Sequence, residues 1–526
     1  MPHILMIAAE NGALPGGKVG GIGDVVRDIP LALAQHDCTV SVVTPAYGSF
    51  LKLPGAKRKK TLLVNYGGSV QSLELYQLSQ SSSDTNVHHY VIEHPLFSSC
   101  GAGKIYCDDP ATRPFATDAS KFALFCRAVA EAITEKAFAR VDVLHLHDWH
   151  AAFLLILRHY IPRYKSMQKI PCAYTIHNLA MQGIRPFEGD ESSLQEWYPD
   201  LVYDPTQLAD PKWTNCVNPM ASAIRLADTV HAVSPNYARE ILLPGDASLG
   251  QSGGEGLDKD LIQANKENRL FGILNGCEYP KGKRPKADAK GWTWLLQQMQ
   301  DLVLRWAGRS ATLASAHFLA HHSLAKLGPK RPQTLLTSVG RITEQKMALM
   351  CQPTSSGIPA LHAALEMMGD QALMLVIGSG DAQYEQFLCE TMSRYTNFIF
   401  LCGFSEEIAD AFYHQGDLFF MPSSFEPCGI SQMLALRAGQ PCLVHGVGGL
   451  RDTIVDGKTG FVFTGNTPTK QAEAMVSTLK KALLQQRKNT PKWQTMRKNA
   501  AAARFHWGDS IEAYLSKLYK ISVTVK

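Results

Sequence analysis

Two doubly wound α/β lobes facing across a cleft are the fold class this sequence predicts, on three observations. At 526 residues the chain exceeds what one hydrophobic core usually organises; at roughly 100–200 residues per domain, two or three are expected. Short β-rich apolar runs alternate with helical stretches almost throughout, which implies crossover connections and parallel sheets. The alternation falls into two series, separated by a linker-like Pro/Gly/Lys-rich stretch, Tyr279–Lys286.

In the first series strands are expected at His3–Ala9, Thr39–Thr44, Val87–Glu93, Val141–His147, Cys172–His177, Thr229–Ser234 and Phe271–Leu274. In the second they are expected at Thr334–Val339, Leu373–Gly378, Phe398–Cys402, Leu418–Met421, Pro441–His445 and Phe461–Phe463. Helical patterns lie between them at Asp24–Gln35, Asp118–Ala137, Ser355–Met368 and Gly429–Ala438. The expected domains are 1–275, 276–505 (with 276–330 as linker and insert) and a C-terminal segment, 506–526. Ser81–Ser83 and Gly250–Gly256 have the composition of surface loops.

Composition narrows the function classes. Apolar content of 45% with 19% charged residues excludes a disordered, collagen-like or coiled-coil chain. Lys plus Arg number 52 against 47 Asp plus Glu, and a surplus of +5 spread over this length is no nucleic-acid footprint. No apolar run reaches the ~18–20 residues of a membrane span. The N-terminal Met1–Glu10 segment lacks a basic leader and reads as a buried first strand, so no membrane partner and a cytoplasmic compartment are expected. Twelve cysteines without a Cys-x-x-Cys pair read as reduced, mostly buried thiols.

The chemistry sits at strand ends. Strand one runs into Gly16-Gly-Lys18-Val-Gly20-Gly21-Ile-Gly-Asp24, where a helix pattern begins. Glycines there let backbone N–H groups approach an anion, and Lys18 adds a point charge; a flexible turn is the other reading. His145-Leu-His147-Asp148-Trp-His150 ends a strand, and histidines two apart share a face. A metal pair, a polar cleft edge and satisfied core histidines all remain open. His177-Asn178 forms a second strand-end polar pair. In the second series, Arg341 and Lys346 follow a strand five apart; they suit a diphosphate or are solvated cations. Gly378-Ser-Gly-Asp381 is a further glycine turn, more often packing than binding. The strongest local signal is Phe425-Glu426-Pro-Cys428-Gly429-Ile430-Ser431, a carboxylate on a turn followed by a helix start with free N–H groups.

Taken together, these segments resemble the bacterial glycogen synthase and plant starch synthase family of retaining GT-B glucosyltransferases. The matching pieces are Lys-Val-Gly-Gly-Ile-Gly-Asp (18–24), His-Asp-Trp-His (147–150), Thr-Ile-His-Asn-Leu (175–179), Val-Ser-Pro-Asn-Tyr-Ala-Arg-Glu (233–240) and Ile-Leu-Asn-Gly (273–276). Gly-Arg-Ile-Thr-Glu-Gln-Lys (340–346), Gly-Ser-Gly-Asp (378–381), Phe-Glu-Pro-Cys-Gly (425–429) and Gly-Gly-Leu-Arg-Asp-Thr (448–453) follow in family order. Many other retaining GT-B enzymes carry a second glutamate eight positions after the first; Leu434 stands there, as in the synthases. The chain departs from the family pattern at Ala221, Met347, Ser424 and His445–Val447, where flanking cations or a glycine are usual, and at Cys277–Pro280, where the family's Asp-x-x-x-Trp-x-Pro run is missing.

The resemblance implies transfer of glucose from ADP-glucose to the non-reducing end of an α-1,4-glucan such as glycogen. Glu426, His177, Arg341 and Lys346 are the implied catalytic residues. Lys18, Gly20, Gly21, Asp24, Asp148, Asn178, Asn275, Phe404, Cys428, Gly429, Ile430 and Ser431 are the implied substrate-binding residues. It also implies no metal and no cofactor, since protein cations meet the diphosphate. Retention is expected through same-face attack, with the His177 carbonyl near the reactive carbon. Cleft closure is expected to assemble the site, and the helix pattern Ser510–Tyr519 to return to the first domain, as in GT-B enzymes. A GT-B relative using UDP-glucose or a non-glucan acceptor, and a weakly active glucan-binding relative, are the alternatives this pattern leaves.

Overall fold

The computed structural model describes residues 1–79, 86–279, 291–309 and 314–521. The expected loop Ser81–Ser83 and most of the Tyr279–Lys286 linker lie outside the described residues. The chain divides into two α/β units. The first comprises Met1–Gly245, Gly253–Gly276 and Trp507–Lys526; the second comprises Asp246–Ser252 and Cys277–His506.

The first unit is built on a nine-stranded sheet. Its strands are β1 (His3–Ile7), β2 (Thr39–Pro45), β3 (Lys57–Tyr66), β4 (Ser69–Leu78), β5 (Val87–Glu93), β6 (Val143–His147), β7 (Cys172–Ile176), β10 (Thr229–Ala232) and β11 (Leu270–Gly272). Two short strands, β8 (Arg185–Pro186) and β9 (Cys216–Val217), pair apart from it. The spatial order is β11-β10-β7-β6-β1-β2-β5-β4-β3. From β1 the chain builds outward on one side through β2 and β5, then returns to lay β6 on the other side. The switch point therefore falls between β1 and β6, whose carboxyl ends lead to Glu10 and Asp148.

The sheet is not wholly parallel, which corrects the expectation. β3, β4 and β5 are joined by antiparallel pairing. The hairpin β3–β4 turns at Gly67-Gly68, with φ of 59° and 70°, where glycine meets no Cβ penalty. Alternation was the available signal: Leu62, Val64 and Tyr66 are buried while Leu63 and Asn65 are exposed.

The second unit carries a wholly parallel sheet of β12 (Thr334–Val339), β13 (Ala372–Gly378), β14 (Phe398–Cys402), β15 (Leu418–Met421), β16 (Cys442–His445) and β17 (Gly460–Phe463). Its order is β14-β13-β12-β15-β16-β17. The reversal lies between β12 and β15, whose carboxyl ends lead to Arg341 and Glu426. A parallel sheet covered on both faces needs continuous apolar strands, and Leu373, Met374, Leu375, Val376 and Ile377 are all buried in one core.

Some boundaries shift for local reasons. The first helix begins at Gly21, not Asp24, so two of the motif's glycines lie inside its first turn. The helix expected from Ser355 starts only at Ala360, behind Pro359, since a residue preceding proline is disfavoured in helical conformation. The segment after Trp507 packs within the first unit. Trp507, Ile511, Tyr514 and Leu518 join a core with Ile4, Val26, Ile29 and Val40, and the Trp507 indole lies 3.3 Å from Asp28 Oδ2.

The all-thiol expectation is also corrected. Cys100 and Cys107 form a disulfide, because the short loop between them brings their Cα atoms to 5.7 Å; the other ten cysteines form no second bridge. Labelling the denatured, unreduced chain with a thiol reagent is expected to modify ten cysteines, against all twelve after reduction. Twelve before reduction would show the bridge is absent. No helix of the described residues is long and apolar enough to cross a membrane.

Candidate functional site

In the first unit the polar groups gather where β1, β6 and β7 end. Asp148 begins the helix Asp148–Tyr160 directly after β6, in the left-handed region at φ 56°. Aspartate tolerates that region better than most residues, and the bend turns its carboxylate back to accept the His177 N–H at 2.8 Å. The carboxyl is only 4% exposed, and burial pushes its pKa up to about 8 against the two N–H bonds from His177 and Asn178.

The three histidine readings resolve into a buried hydrogen-bonded row. His145 and His147 share a face of β6, with ring centroids 4.2 Å apart. His145 Nε2 lies 2.7 Å from Thr175 Oγ1, which lies 3.0 Å from His231 Nδ1. His147 Nδ1 lies 3.0 Å from His177 Nε2. Burial, reinforced by neighbouring imidazoles, holds His145, His147 and His177 well below the usual histidine range, so they stay neutral. No group of three or more His, Cys, Asp or Glu able to hold a metal occurs among the described residues.

Lys18 is partly exposed and donates to Asp24 at 2.7 Å; Arg27 also reaches Asp24, at 3.1 Å. Asp24, expected on substrate, thus serves Lys18 here. The Gly20 N–H donates to Glu10 at 2.8 Å, while Gly21 is exposed. Asn178 accepts from the Ala180 N–H at 3.0 Å. Asn275 is 4% exposed, and its buried Oδ1 has no hydrogen-bond partner among the described residues.

In the second unit the switch point collects the charges. Lys346, on the first turn of the helix Glu344–Cys351, forms an ion pair with the Glu426 carboxylate. Ser423 Oγ donates to the same carboxylate at 3.0 Å. The Gly449 N–H donates to the Glu426 carbonyl at 3.0 Å, tying the turn to the helix Gly448–Thr453. Arg341 is exposed and makes no ion pair among the described residues. With Gly340, Lys346 and Ser423 it lines a crevice of about 10 Å³, room for roughly one water.

Gly378-Ser-Gly380 proves to be packing that holds Arg341. A Cβ on Gly378 would sit 1.9 Å from the Gly340 carbonyl oxygen, and one on Gly380 2.2 Å from that of Ile342. The close approach lets the Ile342 N–H donate to the Ser379 carbonyl at 3.0 Å.

Cys428 is buried, and Gly429 takes φ 76° before the seven-residue helix Ser431–Arg437, with Ile430 at its cap. Gln432 ties down this turn, its amide donating to the carbonyls of Cys428 and Gly429 at 3.0 and 2.9 Å. The departures at Ser424 and His445 replace charge with neutral hydrogen bonds. Ser424 Oγ donates to the Gln345 carbonyl at 3.2 Å, and His445 Nδ1 lies 3.0 Å from the Ser423 carbonyl. Burial lowers the His445 pKa, so it adds no cation. Phe404 stands beyond the edge strand β14 and is 64% exposed. It is not a core residue. Sequence reasoning missed Glu10 and Tyr106, which meet across 96 positions, and Ser423, whose hydroxyl reaches Glu426 only through the turn between them.

Two doubly wound α/β units with polar groups at their switch points suit a GT-B glycosyltransferase, and the family models assign the chain to that class. The family model for the starch synthase catalytic domain matches residues 3–263, and that for glycosyl transferases group 1 matches residues 323–500. The chain belongs to the glycogen synthase family. It is 32% identical over 525 residues to the glycogen synthase of Gloeobacter violaceus, covering 98% of each chain. It is 30% identical over 520 residues to that of Desulfitobacterium hafniense, covering 97% of each. The fold resembles the catalytic domain of starch synthase IV from Arabidopsis thaliana bound to ADP and acarbose, with a TM-score of 0.75, 22% identity and 99% of each chain covered.

Proposed function

We propose that this chain transfers glucose from ADP-glucose to the 4-hydroxyl at the non-reducing end of an α-1,4-glucan such as glycogen, with retention of configuration. The observation that carries the reading is the grouping of Arg341, Lys346 and Glu426 at the switch point of the second unit, in a family member matched over nearly its whole length. As the sugar departs, negative charge grows on the diphosphate. Fixed cations aimed there stabilise the transition state more than the ground state. Arg341 and Lys346 take that role in this reading, while Glu426 accepts hydroxyls of the glucose. Asp148, His177, Asn178 and Asn275 position the sugar, and Lys18 meets the donor. The reaction is placed in the cytoplasm.

The test is incorporation of labelled glucose into glycogen from ADP-glucose and from UDP-glucose. The expected outcome is a higher kcat/KM with ADP-glucose; a higher value with UDP-glucose overturns the donor assignment.

Phe404 supplies a second expectation. Its exposed ring at the end of β14 suits stacking on the base of the nucleotide, a contact worth roughly 0.5–1.5 kcal/mol beyond burial. Phe404→Ala is expected to raise the KM for ADP-glucose about three- to tenfold with little change in kcat, because ground and transition states share the base contact. An unchanged KM removes Phe404 from the site.

A further inference from the structure

Glu10 follows β1 at the switch point of the first unit and is 2% exposed. One carboxylate oxygen, Oε2, accepts three backbone N–H bonds, from Val19 at 2.8 Å, Gly20 at 2.8 Å and Gly23 at 3.2 Å. The other, Oε1, accepts the Tyr106 hydroxyl at 2.8 Å. Tyr106 is itself pinned. The Lys121 ammonium donates to the Ile105 carbonyl at 2.6 Å, and the Cys107 N–H donates to the Asp118 carboxylate at 3.2 Å. A carboxylate taken out of water is costly unless its lone pairs are satisfied, and here four donors surround it.

Converging N–H groups of a glycine-rich turn form a nest for an anion. The family resemblance implies that Gly20 and Gly21 of this nest meet the substrate. In the structure a side chain of the protein already fills it, leaving Lys18 at the mouth of the turn.

We propose that Glu10 is a positioning residue for glucosyl transfer, holding the Lys18–Asp24 turn so that Lys18 is presented to the nucleotide sugar. The role rests on the donor reading given above. It concerns reach rather than charge: Glu10 shapes the turn by accepting hydrogen bonds and does not touch the substrate. Its carboxylate is also near enough to Asp148 to oppose ionisation there, so both acids belong to one polar cluster at the ends of β1 and β6.

Three variants separate reach from charge. Glu10→Gln keeps an oxygen at the same distance, with its amide turned toward the Tyr106 hydroxyl. Glu10→Asp keeps the charge but withdraws it from the nest, and Glu10→Ala removes both. Hydrogen–deuterium exchange of the peptide spanning residues 16–24 reads the clamp without any substrate. Exchange is expected to quicken at least tenfold in Glu10→Ala and Glu10→Asp and to stay within about threefold of wild type in Glu10→Gln. Steady-state kinetics should follow the same order. KM for ADP-glucose is expected to rise fivefold or more in the Asp and Ala variants, with an unchanged KM for glycogen, and Gln is expected to rescue it. If Glu10→Ala does not fold, the Asp and Gln pair still decides the matter. Unchanged exchange in the Asp variant, or Asp near wild type with Gln impaired, overturns the proposal. Inactivity of the wild-type enzyme with ADP-glucose would instead overturn the donor reading, leaving the exchange result to judge the clamp.

Discussion

Lys346→Ala is expected to lower turnover with ADP-glucose by roughly 10²–10³, the usual loss when one stabiliser of developing charge is removed. The same change strips the buried Glu426 carboxylate of its cation, leaving Ser423 as its side-chain partner among the described residues. Breaking such a pair from one side typically costs about 3 kcal/mol, so the melting temperature should fall as well. Glu426→Gln is expected to reduce turnover comparably with a milder fall in stability, since an amide can stay hydrogen-bonded. The double variant Lys346→Met/Glu426→Gln should regain much of the stability and none of the activity. Arg341 gives the cleaner probe, because it is exposed and outside any ion pair among the described residues. Arg341→Ala should lose turnover to a similar degree with an unchanged melting temperature. Near wild-type turnover in all of these variants would show that the grouping is a structural ion pair and not the site of transfer.

The Asp148→Asn variant is expected to gain stability relative to wild type as pH rises from about 4 toward 8. In the folded chain the Asp148 carboxyl is pushed up to about 8 by burial, while in the unfolded chain it titrates near an ordinary aspartate, about 3.9. Between those values the folded state holds a proton that the unfolded state has released, so the contribution of Asp148 to stability falls as pH rises. The whole window is worth on the order of 5 kcal/mol. Asparagine keeps an oxygen for the His177 N–H and does not titrate. Chemical denaturation of both forms at pH 5, 6, 7 and 8 reads the difference directly. A wild-type to Asn difference independent of pH would show that Asp148 is ionised throughout.

The buried histidines act in the opposite direction. His145, His147 and His177 are held neutral when folded and protonate on unfolding, so their contribution is complete above about pH 6.5 and is lost on acidification.

Which elements were legible in the sequence follows a physical line. Strands buried on both faces were legible, and Thr334–Val339, Phe398–Cys402 and Leu418–Met421 stand where the apolar runs placed them. A continuous apolar stretch of that length has few other ways to satisfy its backbone and hide its side chains. The half-exposed hairpin β3–β4 escaped notice because Lys57, Arg58, Lys59 and Lys60 open it with charge, as suits an edge strand. The start at Gly21 escaped because glycine is a poor helix former; what holds this turn is the Glu10 contact to Gly23.

By itself, the sequence determined the α/β class, most of the parallel strands and the residue types at their carboxyl ends, all of which follow from short-range periodicity and local turn chemistry. Only the tertiary structure decided which of those residues meet. It joined Lys346 to Glu426 across 80 positions and Glu10 to Tyr106 across 96. It also made Asp148 a buried acid, and it turned an open choice about the histidines into a neutral hydrogen-bonded row. Pairings of that kind depend on strand order, since β12 must lie beside β15, and β1 beside β6, before their ends can share a site. Strand order is set by the packing of the whole sheet, which no window of sequence contains.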